Sequence, residues 1–150
     1  MIQRIQSLFL FASLCFLVSM FFFPLAGIDS KEALYTFDLT GFSGTILGET
    51  QAVDRQYSLM IYAVLVCTLN AVTIFLYKQR VLQMRLCIYN IILIIGLLSV
   101  ALYVIWICPK ESVQFNLPVV FPLVAGILHY LAFRGIRKDD VMVQALSRLR

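Results

Sequence analysis

Apolar positions gather into four runs, 8–26, 57–77, 86–107 and 117–133, none of which contains Asp, Glu, Lys or Arg. A helix rises about 1.5 Å per residue, so a run of roughly 20 apolar residues crosses the hydrocarbon of a bilayer. The first three runs meet that length, and the fourth sits at its lower limit. Pro24 helps to end the first run, while Pro118 and Pro122 fall in the opening turns of the fourth, where proline is tolerated best. The pattern predicts four spanning helices, with a re-entrant segment as the alternative for the fourth run.

The polar segments between the runs differ in character. Lys78 to Arg85 carries Lys78, Arg80 and Arg85 and no acid. Gly27 to Gln56 holds Asp29, Glu32, Asp38, Glu49 and Asp54 against Lys31 and Arg55, a net charge of −3. Within it Tyr35, Phe37 and Leu39 alternate with Thr36, Asp38 and Thr40, the period of a strand. Gly41 and Gly44 offer a turn, and Thr45-Ile46-Leu47 a returning strand; the alternative is an irregular loop with a short helix. A short linker with Pro109, Lys110, Glu111 and Asn116 separates the third and fourth runs. The tail, 134–150, opens with Arg134, Arg137 and Lys138, after which Asp139 and Asp140 favour a helix start through the dipole. Met142, Ala145, Leu146 and Leu149 then share one helical face. A basic amphipathic helix of this kind suits a membrane surface or a partner groove, and the alternative is a frayed tail whose cations only fix topology.

Short loops rich in Lys and Arg stay in the cytoplasm. With both termini and 78–85 inside, nine cations are cytoplasmic and three, Lys31, Arg55 and Lys110, are outside. The first run is too long for the apolar core of a signal peptide, and Pro24 occupies the position three before a cut after Ala26. Leu14 stands before Cys15 where a lipoprotein signal wants a small residue. The first run is therefore expected to be an uncleaved span.

Composition agrees. Hydrophobic residues make up 61% of the 150 residues and charged ones 13%, against about 45–50% and 25% in soluble domains. The net charge of +4 comes from cations beside the apolar runs, the placement of membrane topology and not of a nucleic-acid footprint. Cys15, Cys67, Cys87 and Cys108 form no CxxC pair, so neither a redox nor a zinc pattern is expected. No metal or cofactor is implied.

Candidate chemistry is sparse. His129 is the sole histidine, and adjacent Asp139 and Asp140 diverge on a helix too far to act as an acid/base pair. An enzyme is not expected. Asn70, Asn90 and His129 reach similar depths on the cytoplasmic side when counted from the ends of their runs. Lipid offers their side chains no hydrogen bond, so at least two of the three are expected to point inward as a polar layer. Such a layer controls helix packing and rotation; its functional alternative is a site for a small polar ligand or a proton.

Three stretches together resemble a known family. They are Met1-Ile2-Gln3-Arg4-Ile5-Gln6-Ser7-Leu8; Tyr77-Lys78-Gln79-Arg80 with Gln83-Met84-Arg85-Leu86; and Arg134-Gly135-Ile136-Arg137-Lys138-Asp139-Asp140 with Ser147-Arg148-Leu149-Arg150. The pattern resembles the domain-of-unknown-function 4293 family across essentially the whole chain, departing at Gly135, where the family often carries Asn. The resemblance implies a four-span protein of a Bacteroidetes inner membrane and no established activity. The layout is also similar to claudin-like four-span proteins, an analogy of architecture alone. The expected fold is an all-α membrane protein: a four-helix transmembrane bundle with a short outer loop region, 27–56, and a C-terminal amphipathic helix. The expected function is that of a non-enzymatic inner-membrane subunit, structural or interacting, whose partners are the lipid bilayer and a membrane protein or further copies of the chain. The residues expected to meet a partner or the membrane are Arg137, Lys138, Met142, Leu146 and Leu149. The alternative is a small transporter or a channel-forming oligomer.

Overall fold

The computed structural model describes the chain from residue 2 to residue 148 apart from residues 30–33, 47–48, 56, 78 and 108–111. Four long helices occur: α1 (Ile2–Ser19), α2 (Ser58–Phe75), α3 (Arg80–Ile107) and α4 (Phe121–Arg148). They pack in a ring in which α1 meets α2 and α4, and α3 meets α2 and α4. Three of them carry stretches long and apolar enough to cross a membrane: Ser58–Phe75, Val81–Ile107 and Leu117–Val143. The apolar part of α1, Gln6–Ser19, is shorter. Outward positions such as Phe11, Ile61, Phe75, Ile92, Ile95 and Trp106 remain exposed, an apolar belt that water would not tolerate and lipid does.

The ring encloses two apolar clusters. One contains Leu17, Leu59, Val66, Ile94, Leu97 and Ala125, and the other Leu10, Cys87, Ala132 and Ile136. Helices α1, α3 and α4 supply buried residues to both clusters at positions three or four residues from a polar one, as in Leu10–Ser13–Leu17 and Cys87–Asn90–Ile94, and α2 reaches the second with half-buried Ile74. That spacing keeps all of them on one helical face.

The structure is not all-α. An antiparallel sheet caps one end of the ring, built from β1 (Ala26–Asp29), β2 (Leu34–Asp38), β3 (Gly41–Ile46), β4 (Glu49–Arg55) and β5 (Ser112–Phe115) in the order β4-β3-β2-β1-β5. The expected hairpin is its β2–β3 unit, and the turn lies at Leu39 and Thr40. Gly41, at φ +122°, supplies the backbone conformation that an L side chain resists, whereas Gly44 lies within β3, opposite Tyr35. Phe37 and Phe42 face each other in the register, their rings 4.7 Å apart. β1 pairs with β5, Ala26 opposite Phe115 and Asp29 opposite Ser112, so the α1–α2 and α3–α4 connections are joined.

Three expected boundaries shift. Helix α1 ends at Ser19 and not at Ala26. Pro24 disfavours helical backbone at Phe23 and has no N–H to donate, and the chain instead turns and feeds β1, with the Leu25 N–H donating to the Phe37 carbonyl at 2.7 Å. The cationic stretch is largely helical, since α3 starts at Arg80 and the link from α2 is short. The tail is not a separate helix begun at Asp139: α4 runs unbroken from Phe121 to Arg148. Ile136 is buried against Leu10 in the second cluster, and Asp139 accepts a hydrogen bond from Gln6 Nε2 at 3.3 Å. That packing holds the helix through the expected break.

Candidate functional site: a polar layer between two apolar clusters

Asn70, Asn90 and His129 are all fully buried, and they meet. The residue that joins them, Ser13 of α1, was not among the sequence candidates and is equally buried. Asn70 Nδ2 donates to Ser13 Oγ at 3.1 Å. Ser13 Oγ lies 2.8 Å from His129 Nδ1, and Asn90 Nδ2 lies 3.0 Å from His129 Nε2. One side chain from each helix thus enters a single chain of hydrogen bonds.

The histidine's tautomer follows from its neighbours. Nδ1 is 3.0 Å from the Ala125 carbonyl, one turn back on α4. A carbonyl only accepts, so Nδ1 carries the ring hydrogen and shares it with Ala125 and Ser13. Nε2 is then left as an acceptor and receives the Asn90 amide hydrogen. Among the described residues, Asn70 Oδ1 and Asn90 Oδ1 find no donor. Buried acceptors without donors are uncommon, because desolvating them costs free energy that nothing offsets. The layer is therefore an incompletely satisfied network in low-dielectric surroundings, where each bond made is strong and each one missing is felt.

Chemically the layer holds an imidazole whose acceptor is taken by Asn90, a hydroxyl, and two amide oxygens that can accept. Among the described residues no group of three His, Cys, Asp or Glu side chains is placed to hold a metal ion. Cys15 is exposed, Cys67 half-buried and Cys87 buried, all three as free thiols.

The expected interaction surface lies apart from this layer, at the end of α4. Arg137 and Lys138 are exposed on α4, as is Met142. Leu146 lies on the helix, but its side chain falls outside the described residues, and Leu149 lies outside them altogether. Val141 and Val143, not singled out in the sequence, are exposed beside Met142.

Ser13 carried a weak signal. It stands three residues after Leu10 and four before Leu17, on the inward seam of its helix. Serine in an apolar helix is usually satisfied by its own backbone, as Ser19 is by the Phe16 carbonyl at 2.7 Å, so its identity alone does not announce a partner.

No curated protein matches the chain. The family model described as a domain of unknown function, DUF4293, matches residues 2–149. With the match spanning nearly every residue of the helices, the sheet and the polar layer, the chain belongs to the DUF4293 family.

Proposed function

We propose that this protein is a non-enzymatic, multi-pass protein of the bacterial inner membrane that serves as a structural or interaction subunit of a membrane assembly. In this reading all four helices span, both termini and the α2–α3 link are cytoplasmic, and the sheet lies outside. Helix α1 rises about 27 Å over its 18 residues, about 21 Å of it in the apolar part Gln6–Ser19, so that it crosses a hydrocarbon layer of about 30 Å only with the apolar residues that follow it. The sheet gathers the α1–α2 and α3–α4 connections at one end, and the cationic link and the tail belong to the other, which agrees with the bias of Lys and Arg.

The observation that carries the interaction role is the end of α4. The contact of Gln6 with Asp139 places the start of α1 near residue 140 of α4, and α4 continues to Arg148. On this stretch Val141, Met142 and Val143 are all exposed, beside Arg137 and Lys138. Consecutive exposed apolar positions at a helix end flanked by cations form a surface for a partner helix at the membrane boundary. The test is the size of the particle recovered at native expression in mild detergent. A particle larger than the 17.1 kDa chain is expected, reduced by Val141→Asp with Met142→Asp. A wild-type particle of one chain and no partner would overturn the proposal.

The polar layer supports a second reading, a small transporter or channel-forming oligomer, because buried ionisable side chains within spans often mark pathways. Liposome uptake or conductance abolished by His129→Leu would favour it, and its absence at all conditions of pH and potential would remove it.

A further inference from the structure

A second concave site lies away from the polar layer, where the outer end of α1, the β2–β3 turn and the start of α2 meet. The cavity holds about 330 Å³ and is lined by Phe21, Phe22, Pro24, Asp38, Thr40 and Met60, among others. That volume is at the lower end for small-molecule sites, about 300–1,000 Å³. Among the described residues the lining contains one acid and no base. Phe22 and Phe23 are 77% and 56% exposed, so the apolar flank of the cavity opens toward the surroundings of the helix end.

We propose that this cavity seats the headgroup of an outer-leaflet phospholipid bearing a primary ammonium, the phosphatidylethanolamine class, with Asp38 as its counter-ion. The inference rests on the membrane placement and sidedness proposed above. Burial pushes the Asp38 carboxyl above its ordinary value, and among the described residues no cation beside it pulls it back. An ammonium in the cavity supplies that missing charge and donates N–H bonds to the carboxylate, the stronger kind of hydrogen bond. The Thr40 hydroxyl is at hand for the ester oxygens of the headgroup, and Phe22, Phe23 and Met60 offer apolar surface to the glycerol and upper acyl chain. The net charge of −3 over Gly27 to Gln56 adds a field that favours a cationic group at this end and disfavours an anionic lipid. A trimethylammonium has the charge but no N–H, and a glycerol headgroup has neither, so the chemistry predicts an order of preference.

The experiment uses the intact chain in mixed micelles doped with one lipid at a time, with retained lipid counted by native mass spectrometry. Phosphatidylethanolamine should be retained about tenfold better than phosphatidylglycerol, the effect of one charge-assisted contact, with phosphatidylcholine between. Asp38→Asn should lower phosphatidylethanolamine to the phosphatidylglycerol level, and Asp38→Glu should keep most of the preference. A photoactivatable phosphatidylethanolamine should label Phe21–Pro24 or Met60. Equal retention of the three lipids by the wild type, or labelling elsewhere, would overturn the proposal even if the Asp38 variants failed to fold. Displacement by free ethanolamine at the same concentration as the lipid would assign the cavity to a soluble amine and overturn the lipid. Micelle retention does not depend on which way the chain crosses a bilayer. A wrong sidedness is read separately by a terminal fusion and would move the lipid to the other leaflet without abolishing its binding.

Discussion

Replacing Ser13 with Ala removes one hydroxyl from the centre of the polar layer and nothing else. That hydroxyl accepts from Asn70 Nδ2 at 3.1 Å and meets His129 Nδ1 at 2.8 Å. Hydrogen bonds between helices in membranes contribute about 0.6–2 kcal/mol each, so Ser13→Ala should cost roughly 1–4 kcal/mol for the two. The losses are unequal. His129 Nδ1 keeps the Ala125 carbonyl, whereas the Asn70 amide is left without any partner, its Oδ1 having none already. Most of the cost should therefore come from Asn70. Asn70→Leu keeps the branched outline of the side chain and removes the whole amide, so the cost of the lost bond and of the added bulk is offset in part by removal of a buried unsatisfied acceptor. In that background Ser13→Ala should cost less by about 0.6–2 kcal/mol, the coupling of the pair. Reversible unfolding in mixed micelles, or steric trapping, gives all four corners of the cycle. If Ser13→Ala costs the same within about 0.3 kcal/mol in both backgrounds, the two side chains do not interact and the chain of bonds is not there.

Other outcomes follow from separate features. A Cβ added at Gly96 lies 2.5 Å from the Tyr62 hydroxyl, which donates to the Leu93 carbonyl at 3.1 Å. Gly96→Ala should destabilise by about 1–3 kcal/mol, and Tyr62→Phe should relieve most of that penalty in a melting series. In delipidated protein the raised Asp38 carboxyl makes the folded state hold its proton more tightly than the unfolded chain does. Stability should therefore fall as pH rises from the unfolded carboxylate pKa through the folded one, with the full penalty above both, and Asp38→Asn should remove that part of the profile in a pH-dependent melt. A reporter active only in the periplasm, fused after Arg150, should stay silent, and activity there would overturn the proposed sidedness.

The helical part of the fold was legible because it depends on local properties. Apolar runs and flanking charge mark α2 and the end of α3 closely, and counting 1.5 Å per residue from the run ends places Asn70, Asn90 and His129 at one depth. The sheet was legible only where its period spoke, at Tyr35–Thr40. Ala26–Asp29 and Ser112–Phe115 are four residues each, too short for a period, and their pairing spans most of the chain. Boundaries failed where tertiary packing overrode local cues. Asp139 looks like a helix start by charge, yet the burial of Ile136 against Leu10 carries α4 past it. Ser13 needed knowledge of which face of α1 meets α4, and a single apolar helix, nearly as hydrophobic all round, does not declare its face.

The pairing of β1 with β5 also sets an order of events during synthesis. Strands β1 to β4 can form their meander once the first 55 residues have emerged, since every contact among them lies within that segment. The free side of β1 then waits through the making of two further helices before Ser112–Phe115 arrives to cover it. During that interval the nascent chain presents an unsatisfied strand edge, the template on which two copies exchange segments or aggregate. The Asn116 N–H to Leu25 bond, at 3.1 Å, and the Asn116 side-chain amide to Pro24 bond, at 3.3 Å, lock the latecomer beside its own chain. Asn116 is thus the place where a helical hairpin made last is fastened to one made first.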